Sequence, residues 1–215
     1  MRHSVLVIGL GRFGSAAALE LMALGHEVLA IDSDASIVNR IAAQVTHAVE
    51  LDASDEAALR SIGAGEFEHA IVAISSHTET SIFATMALKR LGVRNVVAKA
   101  ANELHGAILE RVGADRVVYP EHEMGQRVSH VLSVPHAIDY LDVAAQFGIV
   151  KIRLPDAYVG KTLAEIDLQG RFKLTPIALR RGNRVTVIPS LDERLDDGDE
   201  LILLGRDERL DALGT

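Results

Sequence analysis

The chain has 215 residues, enough for one or two domains but not three. With 48% hydrophobic and 24% charged residues it has an ordinary folded composition, and its formal charge of −8, with Lys and Arg scattered, argues against a groove for nucleic acid. The absence of cysteine rules out disulfides, thiolate metal sites and cysteine nucleophiles, and fits the cytoplasm.

Only 4% of residues are aromatic and none is Trp, so the cores must be built from Val, Ile, Leu and Ala, as in buried parallel strands and their covering helices. In chain order, strands are predicted over residues 4–10, 27–32, 46–50, 69–73, 96–99 and 116–119. Helices are predicted between them over 12–24, 36–43, 56–62, 78–91 and 103–112, with a sixth over 121–133 that Pro135 ends. Strict alternation implies right-handed crossovers and one parallel sheet covered on both faces, the doubly wound α/β plan of a Rossmann-like nucleotide-binding domain. Beyond Pro135 the spacing is strand-like in "DYLDVAAQFGIVKIRLP", "LTPIALRRGNRVTVIPS" and "DELILLG". "RGNR" reads as a hairpin turn, because Gly and Asn tolerate positive φ. The expected organisation is a first domain over 1–134 and a small α+β domain over 135–215. No stretch approaches the roughly 20 apolar residues that span a bilayer, and the start "MRHSVLVIGLGRFG" lacks the apolar run of a signal peptide.

Gly9, Gly11 and Gly14 form G-x-G-x-x-G between a strand and a helix, the context in which the motif cradles phosphates at a helix N-terminus. Arg12 and Phe13 lie inside the motif, and a guanidinium at Arg12 can grip a phosphate with two hydrogen bonds. Asp32 ends the second strand, where a carboxylate accepts hydrogen bonds from ribose hydroxyls. Asp52 follows the third strand and Lys99 ends the fifth, so both should face the crevice at the carboxyl ends of the strands. Other chemistry fails on inspection. "YVGKT" ends like a P-loop but has Pro155 where the first Gly belongs, and "HEMGQ" has Gln126 where a zinc-binding His belongs. No G-x-S-x-G occurs, and the nine His show no ligand spacing. Nothing after the nucleotide fold supplies an acid, base and electrophile set, so a nicotinamide-dependent oxidoreductase is the weaker reading.

"VIGLGRFG", "GHEVLAID", "VVAKAANELHGAILERVGADRVVYPEHEMGQRV", "IDYLDVAAQFGIVKIR" and "VIPSLDERLDDGDELILLG" together resemble the RCK (TrkA-N/TrkA-C) family, in particular its cytosolic Ktr-type regulatory subunits. The resemblance implies regulation by ATP and ADP rather than catalysis. Homodimers would assemble into an octameric ring beneath a membrane potassium-translocating subunit, on the cytoplasmic face. It implies that the glycine turn with Arg12 and Phe13 holds phosphates, with Arg12 sensing the γ-phosphate, that Asp32 holds ribose, and that Lys99 and Asp52 lie near. It implies a divalent cation at the dimer interface on Glu121. It also implies a cyclic di-AMP pocket around residues 177–181 and 187–191, which some relatives have. An NAD(H)-sensing Trk-type subunit is the alternative within the family, although such chains often carry two units and this one carries one.

Overall fold

The computed structural model describes residues 2–210 and divides the chain into two compact units, Met1–Pro120 and Glu121–Thr215. The division falls before the sixth helix, which by its alternation with the strands belongs in sequence to the first domain, expected over 1–134.

The first unit alternates β1 (Ser4–Ile8), α1 (Arg12–Ala23), β2 (Glu27–Asp32), α2 (Ala35–Ile41), β3 (His47–Glu50), α3 (Glu56–Ser61), β4 (His69–Val72), α4 (Thr78–Arg90), β5 (Asn95–Lys99), α5 (Glu103–Arg111) and β6 (Arg116–Val118). All strand pairs are parallel, in the order β3-β2-β1-β4-β5-β6. This is the doubly wound arrangement, with its switch point between β1 and β4.

The two-residue period of β1 explains both faces. Val5 and Val7 pack with Ala18 of α1 and Val38 and Ile41 of α2. Leu6 and Ile8 pack with Leu59 of α3, Leu88 of α4 and Leu109 of α5. A strand buried on both sides has no polar position to offer, which is why "VLVI" does not alternate. Asp34, Asp55 and Asn102 cap α2, α3 and α5 by accepting backbone N–H bonds, each satisfying donors that a helix start leaves open.

The second unit holds α6 (Pro120–Ser133, from its second residue on), β7 (Ala137–Ala144), β8 (Phe147–Arg153), α7 (Leu163–Ile166), α8 (Leu168–Phe172), β9 (Thr175–Arg181), β10 (Arg184–Val187), β11 (Glu200–Arg206) and α9 (Asp207–Leu210). Its sheet is antiparallel in the order β10-β9-β11-β8-β7. The core is aliphatic, with Val150, Ile152, Leu179, Leu201 and Leu203 from the strands and Leu163, Ile166 and Leu168 from the short helices. "RGNR" does form the β9–β10 turn, with positive φ at Gly182 alone, as in a type II′ hairpin rather than one using both residues.

One buried charge organises this unit. Asp199 has no exposed surface. Arg181 donates Nε–H to Oδ1 at 2.9 Å and Nη2–H to Oδ2 at 2.7 Å, and the Asp196 N–H adds a bond at 2.9 Å. Burial alone would raise the carboxyl pKa, but the Arg181 pair and the backbone bond outweigh it and hold the group below its ordinary value. A depressed folded pKa stabilises above the unfolded value, and that stabilisation is lost as pH falls through the folded one. Asp199→Asn should therefore cost about 2 kcal/mol at neutral pH, in the range for hydrogen bonds to charged groups. Thermal melts should show the gap between variant and wild type narrowing below about pH 4.

Candidate functional site

At the carboxyl end of β1 the chain reverses through the glycine turn, and the three glycines have different reasons to be there. Gly9 sits at φ +88°, and a Cβ on it would lie 2.8 Å from Ile74 Cγ1 and 3.1 Å from the Ala73 carbonyl carbon. A Cβ on Gly14 would collide with the carbonyl oxygen of Gly9. These two are demanded by the protein's own packing. Gly11 is extended, with φ −64° and ψ −170°, and nothing lies within 4 Å of where its Cβ would stand. Any residue suits that backbone, so the open space beside it is what the missing side chain provides.

Gly11 is also the N-cap of α1, and unlike Asp34, Asp55 and Asn102 it offers no side-chain acceptor. The first turn of α1 contains no acidic residue, and its first residue is the exposed Arg12. Among the described residues Arg12 has no ion-pair partner. A cation at the positive end of a helix dipole is unfavourable in isolation and becomes favourable when an anion lies between them.

Asp32, half-buried at the end of β2, joins this turn directly. Its Oδ2 accepts the Leu10 N–H at 2.6 Å, and its Oδ1 accepts the Asp34 N–H at 3.0 Å. Each oxygen keeps a further acceptor site toward solvent. Ser15 donates its hydroxyl hydrogen to the Leu10 carbonyl at 2.7 Å, so Leu10 is held through both its N–H and its carbonyl. Lys99, the last residue of β5, is buried, with its ammonium 5.9 Å from the centroid of the Phe13 ring. That is a cation over an aromatic face, and it brings Phe13 and Lys99 together beside the first turn of α1.

Asp52 has local work instead. Its Oδ1 accepts both the N–H and the hydroxyl of Ser54, at 2.9 and 2.8 Å, and these bonds hold its pKa below the ordinary value. It builds the turn after β3. Glu121 lies in the other unit, in the exposed first turn of α6, along a face it shares with His122, Gly125 and Gln126. Among the described residues, carboxylates and imidazoles close enough to share a metal ion do not converge on Glu121.

Ala73 and Ile74 were not singled out from the sequence. Ala73 donates its N–H to the Ile8 carbonyl at 2.7 Å, which carries the chain after β4 against the glycine turn at the switch point. The signal was the end of the apolar run in "IVAISSH".

Residues 5–120 match the TrkA-N domain and residues 148–214 the TrkA-C domain. The chain is 37% identical to Ktr system potassium uptake protein C of Bacillus subtilis (strain 168), over 95% of this chain and 93% of that one. It is 34% identical to Ktr system potassium uptake protein A of the same organism, over 93% and 90%. Its fold is shared with the solved GsuK channel bound to NAD, at TM-score 0.67 and 18% identity, covering 98% of this chain and 38% of that one. The chain thus belongs to the RCK family, carrying its TrkA-N and TrkA-C domains in order, and within it to the Ktr-type regulatory subunits of potassium uptake.

Proposed function

We propose that this regulatory subunit distinguishes ATP from ADP at the glycine turn and passes the difference to a membrane potassium-translocating partner on the cytoplasmic side. The observation that carries this reading is the guanidinium of Arg12, without an ion-pair partner among the described residues, at the uncapped start of α1 beside the open backbone of Gly11. A ligand shifts a conformational equilibrium only by its differential affinity for the two states. ATP and ADP differ by one charged phosphoryl group, and a guanidinium is the group best suited to register it. The carboxylate of Asp32 would hold the ribose, and Lys99 and Phe13 would back the phosphate end. The relatives are regulatory subunits rather than enzymes, and no substrate chemistry is required of the site.

A homodimer, and from it an octameric ring, fits the apolar surface of the second unit. Met124, Val128 and Leu132 of α6 are 52%, 50% and 82% exposed, and Leu141 and Val143 of β7 are 58% and 54% exposed. Such a surface is ordinarily covered by another chain. In that assembly Glu121 would contribute to a divalent cation site between copies. Among the described residues no helix is long and apolar enough to cross a membrane.

A second reading, NAD(H) in the same crevice, is equally served by Asp32, because a carboxylate at the end of β2 suits the ribose of either nucleotide. Calorimetry on nucleotide-free protein with ATP, ADP, NADH and cyclic di-AMP separates the readings. ATP and ADP should bind at least about tenfold more tightly than NADH, a difference of about 1.4 kcal/mol. Tighter binding of NADH than of ATP would transfer the site to the nicotinamide reading.

A further inference from the structure

The amino ends of the first unit's central strands carry a second group of chemistry-bearing side chains, at the opposite end of the sheet from the glycine turn. His3 precedes β1, Glu68 precedes β4 and His69 opens it. Glu68 Oε2 is 3.7 Å from His3 Nδ1 and 3.9 Å from His69 Nε2, and one ligand atom from each residue lies within 4.8 Å of the other two. We propose that His3, Glu68 and His69 form a binding site for a zinc-class transition-metal ion, with a further coordination position open to water.

Zinc bound at about 2.0–2.2 Å in tetrahedral geometry places its ligand atoms roughly 3.3–3.6 Å apart. The two oxygen–nitrogen separations are therefore nearly right, and side-chain rotation closes the remainder. The backbone beneath is already fixed. The Glu27 N–H bonds the His3 carbonyl at 2.9 Å, the Asn95 N–H bonds the Glu68 carbonyl at 3.0 Å, and His69 is in register with Val5 across the β1–β4 pair. Ligands on strand ends pinned in this way need little ordering.

The surroundings aim the donors. Arg94 Nη1 stands 3.5 Å from Glu68 Oε1, which leaves Oε2 turned toward the imidazoles. His26 Nδ1 accepts the His3 N–H at 3.2 Å, and the two rings lie 5.6 Å apart between centroids, so His26 buttresses His3 rather than competing through that nitrogen. The side chains of His3 and His69 are each 35% exposed, open enough for an ion to enter. Two imidazoles with one carboxylate oxygen suit zinc and its neighbours. Magnesium and calcium need several oxygen ligands and find one carboxylate already engaged by an arginine. Bound metal would tie β1 to β4 and stabilise the folded state by mass action.

The test is titration of the EDTA-treated full chain with zinc chloride, read by calorimetry and by elemental analysis of gel-filtered protein, with cobalt(II) as a spectroscopic substitute and magnesium as the comparison. One zinc per chain should bind, cobalt should give the absorption of a low-coordinate nitrogen and oxygen site, magnesium should not compete, and the melting temperature should rise with zinc. Arg94→Ala should weaken zinc by roughly 10–100-fold, the usual cost of losing an outer partner. His3→Gln combined with His69→Gln should cost more than that, while His47→Gln, at the exposed start of β3, should leave binding unchanged. Absence of stoichiometric zinc, or zinc that survives in the folded double variant, overturns the site. If circular dichroism shows the double variant unfolded, NMR of the wild type decides: zinc must shift the His3 and His69 imidazole resonances, and their constancy overturns the site equally.

Discussion

Replacing Gly11 by Ala is expected to remove nucleotide binding while leaving the fold intact, and replacing Gly14 by Ala to remove binding and destabilise the fold as well. The Cβ added by Gly11→Ala would enter open space on a backbone already at φ −64°, so the melting temperature should hold within about 2 °C of wild type, no more than the shift that 1 kcal/mol produces in a chain of this size. The same methyl group would stand where a phosphate must approach the start of α1, and affinity for ATP and ADP should fall by about a hundredfold or more, or roughly 2.7 kcal/mol. The methyl added by Gly14→Ala would instead meet the Gly9 carbonyl oxygen and the Ala73 side chain, two parts of a packed turn with no room to give. Overpacking of this kind costs about 1–3 kcal/mol, and more where backbone must shift, so Gly14→Ala should lower the melting temperature and abolish binding together. Differential scanning calorimetry beside nucleotide titration separates the outcomes. If Gly11→Ala binds ATP like wild type, phosphates do not occupy that space.

Arg12→Ala should produce the next largest effect, and one that is unequal between ligands. A charge-assisted bond to phosphate contributes about 1.5–3 kcal/mol, so ATP affinity should drop by roughly 10–150-fold if the guanidinium contacts the γ-phosphate. ADP, which lacks that group, should lose at most a few-fold from weaker long-range attraction. Removing a cation from the start of α1 should also leave the apo protein as stable or slightly more so, because a positive charge there opposes the helix dipole and the first turn holds no acidic residue to offset it. Equal losses for both nucleotides would take the γ-phosphate contact away from Arg12.

The first unit was largely readable in the sequence because its strands are apolar runs separated by amphipathic helices, and its errors lie where backbone geometry intervenes. The strand expected over residues 4–10 stops at Ile8, since positive φ at Gly9 cannot continue a parallel ladder. The second unit was less readable. The hairpin between β7 and β8 turns at residues 145 and 146, where "AQ" carries none of the usual turn residues and Gln146 takes φ +65° because the flanking pairs demand it. The helix α7 did have a signal, Thr162 with Glu165 three residues on, and both halves of that capping box form. At the site, motif spacing located the turn and Asp32. It had no means of pairing Lys99 with Phe13, because that contact depends on β5 and α1 being neighbours of the switch point. The junction of His3 with Glu68 and His69 was equally hidden: His3 lies far along the chain from that adjacent pair, and only the parallel β1–β4 register brings them together.

Asp32 has one carboxylate engaged with two stretches of chain, the Leu10 N–H inside the glycine turn and the Asp34 N–H at the start of α2. A sugar that draws on that carboxylate would also pull on the loop that receives the phosphates. The two ends of a nucleotide would then be read through one mechanical linkage instead of two independent contacts, so that occupancy at the sugar end sets the tension of the phosphate end before any phosphate is counted.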